Sequence, residues 1–193
     1  MHNVKVGVIG CGYWGPKLVR NFYEIPGADL RLVCDLRPDR LEHIQSLYGV
    51  QVTQDYRELL AADIDAVAIA TPVSTHHALG KAALEAGKDI LVEKPLTANS
   101  AQARELIALA EEQGRLIMVG HTFEYNPAVE YLRNLIMQGE LGTIYYVSAT
   151  RVNLGIFQQD IIVLWDLAPH DLSLLCYVLG MAPMTVSARG RAN

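Results

Sequence analysis

The 193-residue sequence is poor in cysteine, in runs of a single charge and in long apolar stretches. Its three cysteines, Cys11, Cys34 and Cys176, are odd in number, widely spaced and set in apolar or glycine-rich surroundings. That pattern excludes a disulfide framework and the close ligand spacing of a metal site, and points to reduced thiols in a cytoplasmic protein. With a formal net charge of −5 and no basic cluster, the electrostatic footprint of a nucleic-acid binder is missing. No apolar run approaches membrane-spanning length, and the opening VKVGVIG, soon broken by glycine, reads as a first strand rather than a signal peptide. What is present is 51% hydrophobic and 19% charged residues, the balance of an ordinary α/β protein, in a chain long enough to bury a core without staples.

Short, nearly continuous β-branched segments at residues 4–9, 30–34, 66–70, 89–92 and 116–119 have the composition of strands buried on both faces. Helix-forming stretches at 16–24, 40–48, 55–61, 75–86 and 100–113 alternate with them, and Gly87 and Gly114 stop two of these. This alternation predicts a doubly wound parallel sheet of the Rossmann type over residues 1–120, with right-handed crossovers. Beyond Gly120 the pattern changes to a helix at 127–137, a strand-like run TIYYVSATRVNLG from Thr143, a helix around 165–179 and a strand over 184–189. Residues 121–193 therefore read as the incomplete start of an α+β substrate and oligomerisation domain. A two-stranded sheet seldom stands alone, so the chain is expected to be a piece of a longer protein or to receive strands from another subunit.

Gly10, Gly12 and Gly15 have G-x-G-x-x-G spacing, follow the first strand and open a helix whose first turn holds Pro16. In a dinucleotide site Gly10 permits the tight turn, Gly12 lets backbone N–H groups approach a pyrophosphate, and Gly15 lets the helix sit close to the strand. Tyr13 and Trp14 complete the cofactor loop, their side chains pointing elsewhere; the alternative is a glycine-rich turn with no ligand. Asp35 closes the second strand, where a carboxylate can accept hydrogen bonds from the adenosine ribose and repel a 2′-phosphate. Arg37 could pair with that phosphate, so NAD is favoured while NADP stays open. Two further strands end in Thr71-Pro72 and Glu93-Lys94-Pro95, on the carboxyl edge where ligands bind, which sets Lys94 beside the cofactor.

Taken together, G-C-G-Y-W-G at 10–15, A-T-P at 70–72 with His76, A-G-K-x-x-L-V-E-K-P at 86–95 and D-L-A-P-H-D at 166–171 resemble the Gfo/Idh/MocA oxidoreductases along essentially the whole chain. The resemblance implies a cofactor site that includes Thr71, Pro72, His76, Glu93 and Lys94. It also implies a Lys94 near the nicotinamide and the substrate hydroxyls, with a Lys94–Pro95 bond that is commonly cis in the family. The family's D-x-x-x-H pair maps to Asp166 and His170, one helical turn apart and able to face one pocket. The implied reaction is hydride transfer from a sugar C–H to nicotinamide. His170 takes the hydroxyl proton, Lys94 stabilises the oxygen, and Asp166 orients substrate or lysine.

Other residues are read more plainly. Where the family often has an arginine before aromatic-Asn-Pro, this sequence has Glu124, and Asn126 reads as a helix cap. His121 and Arg151 line the substrate side, Arg151 being equally suited to a sugar carboxylate, a diphosphate or a structural salt bridge. His2, His43 and His77 read as surface residues, and Trp165 as packing. The resemblance favours a sugar or nucleotide-sugar dehydrogenase, with oxidation at a ring hydroxyl such as C3. Two alternatives stand beside it: an enzyme that uses tightly bound NAD transiently to cleave glycosidic bonds, and a nucleotide-binding fragment or scaffold without a complete catalytic domain. Exposed sheet edges would also favour a homo-oligomer.

Overall fold

Val8, Val33, Val67 and Val92 have no exposed surface, as expected of β-branched residues in strands covered on both sides. They lie in four neighbouring strands of a computed structural model that describes residues 3–151 and 162–190. In chain order the elements are β1 (Val4–Ile9), α1 (Gly15–Glu24), β2 (Ala28–Cys34), α2 (Pro38–Tyr48), β3 (Gln51–Thr53), α3 (Tyr56–Ala61) and β4 (Ala66–Ile69). They continue with α4 (Val73–Glu85), β5 (Asp89–Val92), α5 (Ser100–Gln113), β6 (Ile117–Val119), a 3-10 turn (Thr122–Tyr125), α6 (Pro127–Met137) and α7 (Val163–Leu179). The strands form one six-stranded parallel sheet in the order β3-β2-β1-β4-β5-β6. The order reverses between β1 and β4, which opens a crevice at their carboxyl ends.

Successive residues of β1 feed opposite faces of the sheet. Val8 joins Val19, Val33, Leu41 and Ile44 in a cluster with α1 and α2. Ile9 joins Leu59, Leu84 and Leu106 on the other side, with α3, α4 and α5. Local chemistry sets the helix ends: Asp55, Asn99 and Asn126 accept hydrogen bonds from Arg57, Gln102 and Ala128 backbone N–H groups at 2.9, 3.0 and 2.9 Å. Gly114 closes α5 in the left-handed region with φ 61°.

The predicted bounds of β1, β5, α5 and α6 coincide with the structure. The short β3 went unpredicted because three residues give no usable period. A larger correction concerns the C-terminal part. Residues 143–150 and 184–189, expected to lie in strands, form none, and residues 152–155 of the predicted run lie outside the described residues. A strand exists through its ladder partners, and neither segment has one among the described residues. What the structure has there instead is α6 packed on α7, with Arg133 Nε donating to the Tyr177 carbonyl at 3.0 Å. Among the described residues, no helix is long and apolar enough to cross a membrane.

Leu106 and Ile107 are adjacent on α5, but Leu106 is fully buried while Ile107 is 45% exposed. Leu106→Ala should therefore destabilise the fold by about 2–5 kcal/mol in urea unfolding, whereas Ile107→Ala should stay within about 0.5 kcal/mol of the parent.

Candidate active site

The three glycines of the loop serve different ends. A Cβ on Gly10, whose φ is +98°, would lie 2.6 Å from the Ala70 carbonyl oxygen, and one on Gly15 would lie 1.9 Å from that of Gly10. Gly10 is therefore required by the close approach of the loop to the end of β4, and Gly15 by that of α1 to the loop. At Gly12 a Cβ would meet only the Arg40 guanidinium, at 4.0 Å. The protein makes no packing use of that position, so it leaves a cradle open at the start of α1, where free N–H groups suit a pyrophosphate. The Tyr13 and Trp14 side chains turn outward and flank the Lys17 ammonium, 3.9 Å from each ring centroid.

Asp35 is almost fully buried beside this loop. Its carboxylate accepts from the backbone N–H of Cys11 at 2.6 Å and from that of Arg37 at 2.8 Å, which fixes both oxygens at the end of β2. The Arg37 guanidinium turns away and donates to both carboxylate oxygens of Asp39, at 3.1 and 2.6 Å. The cation that does reach Asp35 is Arg40, at 3.5 Å. Sequence reasoning missed it because only the first turn of α2 brings position 40 back over the end of β2. Arg40 also borders a cavity of about 250 Å³ lined by Cys11, Pro16, Asp39, His43 and Ile44. Burial, reinforced by the charge of Asp35, pushes the Cys11 and Cys34 thiols up to about 12, so both are inert thiols rather than nucleophiles.

Across the crevice, the Glu93 N–H donates to the Ile69 carbonyl at 2.9 Å and continues the β4–β5 register to the turn. Burial raises the pKa of the Glu93 carboxyl, opposed by the Lys94 backbone N–H and by the Lys94 and Lys17 charges. Gly120 leaves room for that carboxyl, since a Cβ there would stand 3.1 Å from Glu93 Oε2. Thr71 and Pro72 leave β4 at this edge, and the His76 ring is buried behind them, so its side chain faces the protein interior. The Lys94–Pro95 bond is cis. Lys94 Nζ donates to Asp166 Oδ1 at 2.7 Å and to the Asp166 carbonyl at 2.8 Å, joining the sheet edge to α7. Next to it, the Trp165 indole N–H donates to the Thr97 carbonyl at 3.0 Å. Trp165 is thus a specific anchor as well as a packing residue, which no sequence signal disclosed.

One turn along α7, His170 is partly buried, and its Nδ1 and that of His121 are buried without a hydrogen-bond partner among the described residues. Desolvation, then the charges of Lys94, Arg151 and His121, lowers the His170 pKa from 6.5 to about 4, with Asp171 opposing. Its ring meets Phe123 edge-on, centroids 5.0 Å apart. Arg151 is held by Asp171 through two hydrogen bonds, at 3.0 and 2.7 Å, with its guanidinium 5.4 Å from the Phe123 centroid. The salt-bridge alternative for Arg151 is therefore the one present. Glu124, in the place of the family's arginine, accepts from the Ser173 hydroxyl. The fold thus brings Lys94, Asp166 and His170 together at the end of β5 and Asp35 to the glycine loop, while Arg37 is turned out to the surface.

A glycine cradle and a fixed carboxylate at the switch point of a parallel sheet define a dinucleotide-binding oxidoreductase fold. The chain belongs to the Gfo/Idh/MocA oxidoreductase family with an NAD-binding Rossmann fold, which residues 4–121 match. It is 34% identical over 195 residues to UDP-N-acetylglucosamine 3-dehydrogenase of Acidithiobacillus ferrooxidans, covering 100% of this chain and 59% of that protein. It is 33% identical over 199 residues to scyllo-inositol 2-dehydrogenase (NAD(+)) of Bacillus subtilis, covering 98% and 58%. The crystal structure of GenD2 from gentamicin A biosynthesis in complex with NAD superposes with a TM-score of 0.83 at 29% identity, over 93% of this chain and 54% of GenD2. KijD10, a 3-ketoreductase from Actinomadura kijaniata with bound NADP, superposes with a TM-score of 0.67 at 31% identity, over 72% and 43%. The chain therefore spans less than two thirds of the length of these relatives.

The His170 shift fixes a pH dependence. Between pH 6.5 and about 4 the unfolded chain binds the proton that the folded chain refuses, so stability is full above that window and falls as pH drops through it. Urea midpoints at pH 7 and pH 5 (about, within the His range) should fall for the parent, and the fall should be smaller for His170→Gln.

Proposed function

We propose that the chain binds NAD and supplies the reacting groups for hydride transfer between a ring hydroxyl carbon of a sugar or nucleotide sugar and nicotinamide. The observation that carries this reading is the Lys94–Asp166 pair at the carboxyl edge, beside a His170 imidazole whose Nδ1 has no hydrogen-bond partner among the described residues. Gly10, Gly12, Tyr13, Trp14 and Gly15 form the pyrophosphate loop, Asp35 receives the ribose hydroxyls, and Thr71, Pro72 and Glu93 border the nicotinamide end. When bound, the nicotinamide supplies hydride chemistry that no side chain can.

The residues of the chain handle the proton and the oxygen. Asp166 holds the Lys94 ammonium in place, and Lys94 donates to the substrate hydroxyl oxygen, stabilising negative charge there as the C–H bond breaks. His170, neutral with a pKa near 4, accepts the hydroxyl proton. A base that weak needs the hydroxyl made more acidic, which the Lys94 charge on the same oxygen provides. His121 and Arg151 border the sugar, Arg151 after release from Asp171. The names of the relatives that are 3-dehydrogenase and 3-ketoreductase support C3 as the position oxidised. The free, buried Cys11 and Cys34 support a reducing, cytoplasmic setting. The exposed Tyr145, Tyr146, Met184 and Val186 support self-association, with residues 121–193 as the substrate and oligomerisation part.

NADH formation should be followed with UDP-N-acetylglucosamine and with scyllo-inositol. Lys94→Ala should abolish turnover while NAD affinity changes less than about tenfold, and His170→Asn should lower kcat by about 10²–10⁴. Turnover that survives Lys94→Ala contradicts the mechanism; NAD binding without turnover on either substrate favours a nucleotide-binding piece. In a titration of both dinucleotides, NAD should bind more tightly than NADP, and Asp35→Ala should narrow the gap.

A further inference from the structure

Phe123 sits in the 3-10 turn after β6, half-buried and outside both apolar clusters of the sheet. The groups its ring meets are instead those of the candidate site. It stands at 85° to the His170 imidazole with centroids 5.0 Å apart, and the Arg151 guanidinium lies 5.4 Å from its own centroid. Backbone bonds fix the turn that carries it. The Gly120 N–H donates to the Val92 carbonyl at 2.8 Å, that of Glu124 to the His121 carbonyl at 3.1 Å, and that of Asn126 to the Phe123 carbonyl at 3.1 Å. A further tie crosses to α7: Ser173, one turn along from His170, donates its hydroxyl to the Glu124 carboxylate.

We propose that Phe123 is a positioning residue for His170: its ring fixes the plane of the imidazole and keeps water from it, and the Glu124–Ser173 bond holds that ring against α7. Perpendicular ring pairs are favoured by the aromatic quadrupole, so an imidazole that turns about its own bond loses the contact. An apolar ring in place of water also lowers the local dielectric, and nearby charges are then felt more strongly. Lys94 from the end of β5, Arg151, and His121 from the end of β6 act against a proton on the imidazole, while Asp171 on its own helix acts for it. Glu124 faces the same helix at Ser173. Phe123 therefore sets how firmly these surroundings keep the imidazole neutral. The consequence for catalysis rests on His170 being the proton acceptor of the proposed function, whereas the packing and its effect on His170 do not.

Magnetic resonance of the imidazole ring protons in the 193-residue chain decides the matter without a turnover assay, with His170→Gln identifying the His170 signal. Between about pH 7 and about pH 5 the parent signal should stay near its neutral position, whereas in Phe123→Ala it should travel more than about half of the way to the protonated one. The exposed His43 should titrate alike in both proteins. A His170 signal that stays neutral in Phe123→Ala, or one that changes only together with His43, overturns the role of Phe123. Glu124→Gln keeps an acceptor oxygen for Ser173 and Glu124→Ala does not, while both remove the same charge, so their difference reads the hydrogen bond. The alanine variant should shift His170 toward the protonated position and the glutamine variant should follow the parent; identical behaviour of the two overturns the tie. Should Phe123→Ala fail to fold, the Glu124 pair, which keeps the ring, carries the test with the same contrary result. Failure to oxidise any sugar would sink the dehydrogenase reading and leave these spectra where they are.

Discussion

The contact on which the candidate site depends is the double hydrogen bond from Lys94 Nζ to Asp166, one to the carboxylate and one to the backbone carbonyl. It joins the end of β5 to a helix 72 residues further along the chain. Both side chains are largely withdrawn from water, 13% and 19% exposed. An ion pair so placed gives up hydration that offsets its Coulomb attraction, so it is poor evidence of net stability. Its effect is one of specificity. Charge-assisted hydrogen bonds of about 1.5–3 kcal/mol each are strongly directional, and these two set the rotation of α7, which in turn decides where His170 faces. Under the proposed function, a sheet edge without that tie would keep its glycine cradle but would have no imidazole beside it.

The same concentration of charge carries a cost. Lys94 and Arg151 both act against a proton on His170, and desolvation acts more strongly still. The imidazole is therefore neutral at physiological pH and its basicity is low. In the reaction proposed above, proton transfer would then depend on the lysine acting on the same oxygen. The two residues are electrostatically coupled, and the Arg151–Asp171 pair near Phe123 acts on the same imidazole from the far side. Anything that draws Arg151 away from Asp171 or adds negative charge near it would alter the basicity of His170.

Much of this was legible in the sequence because the relevant signals are local. The strand–turn–helix period, the glycine spacing, Asp35 at a strand end and the capping role of Asn126 each depend on a few neighbouring residues, and all appear in the structure. Signals that depend on the partner across space were misread or unseen. Residues 143–150 are β-branched and aromatic enough to suggest a strand, but a strand is made by its neighbour, and the described residues supply none. Arg37 and Arg40 are both cations close after Asp35 in sequence. Which one reaches the carboxylate depends on Asp39 capturing Arg37 and on the turn of α2. The Trp165–Thr97 and His76–Pro95 bonds end on backbone carbonyls, which every residue carries, so no residue type announces them.

The central claim is that Lys94, Asp166 and His170 form a reacting centre at the nicotinamide end of the crevice. Its most direct test is a single-turnover label transfer: excess protein with NAD and a nucleotide sugar deuterated at the ring carbon, quenched and read by mass spectrometry of the nicotinamide. Deuterium carried from the sugar to the nicotinamide in the parent, and absent in Lys94→Ala at equal NAD occupancy, is the predicted result. Label transfer that is equal in the two proteins would contradict it.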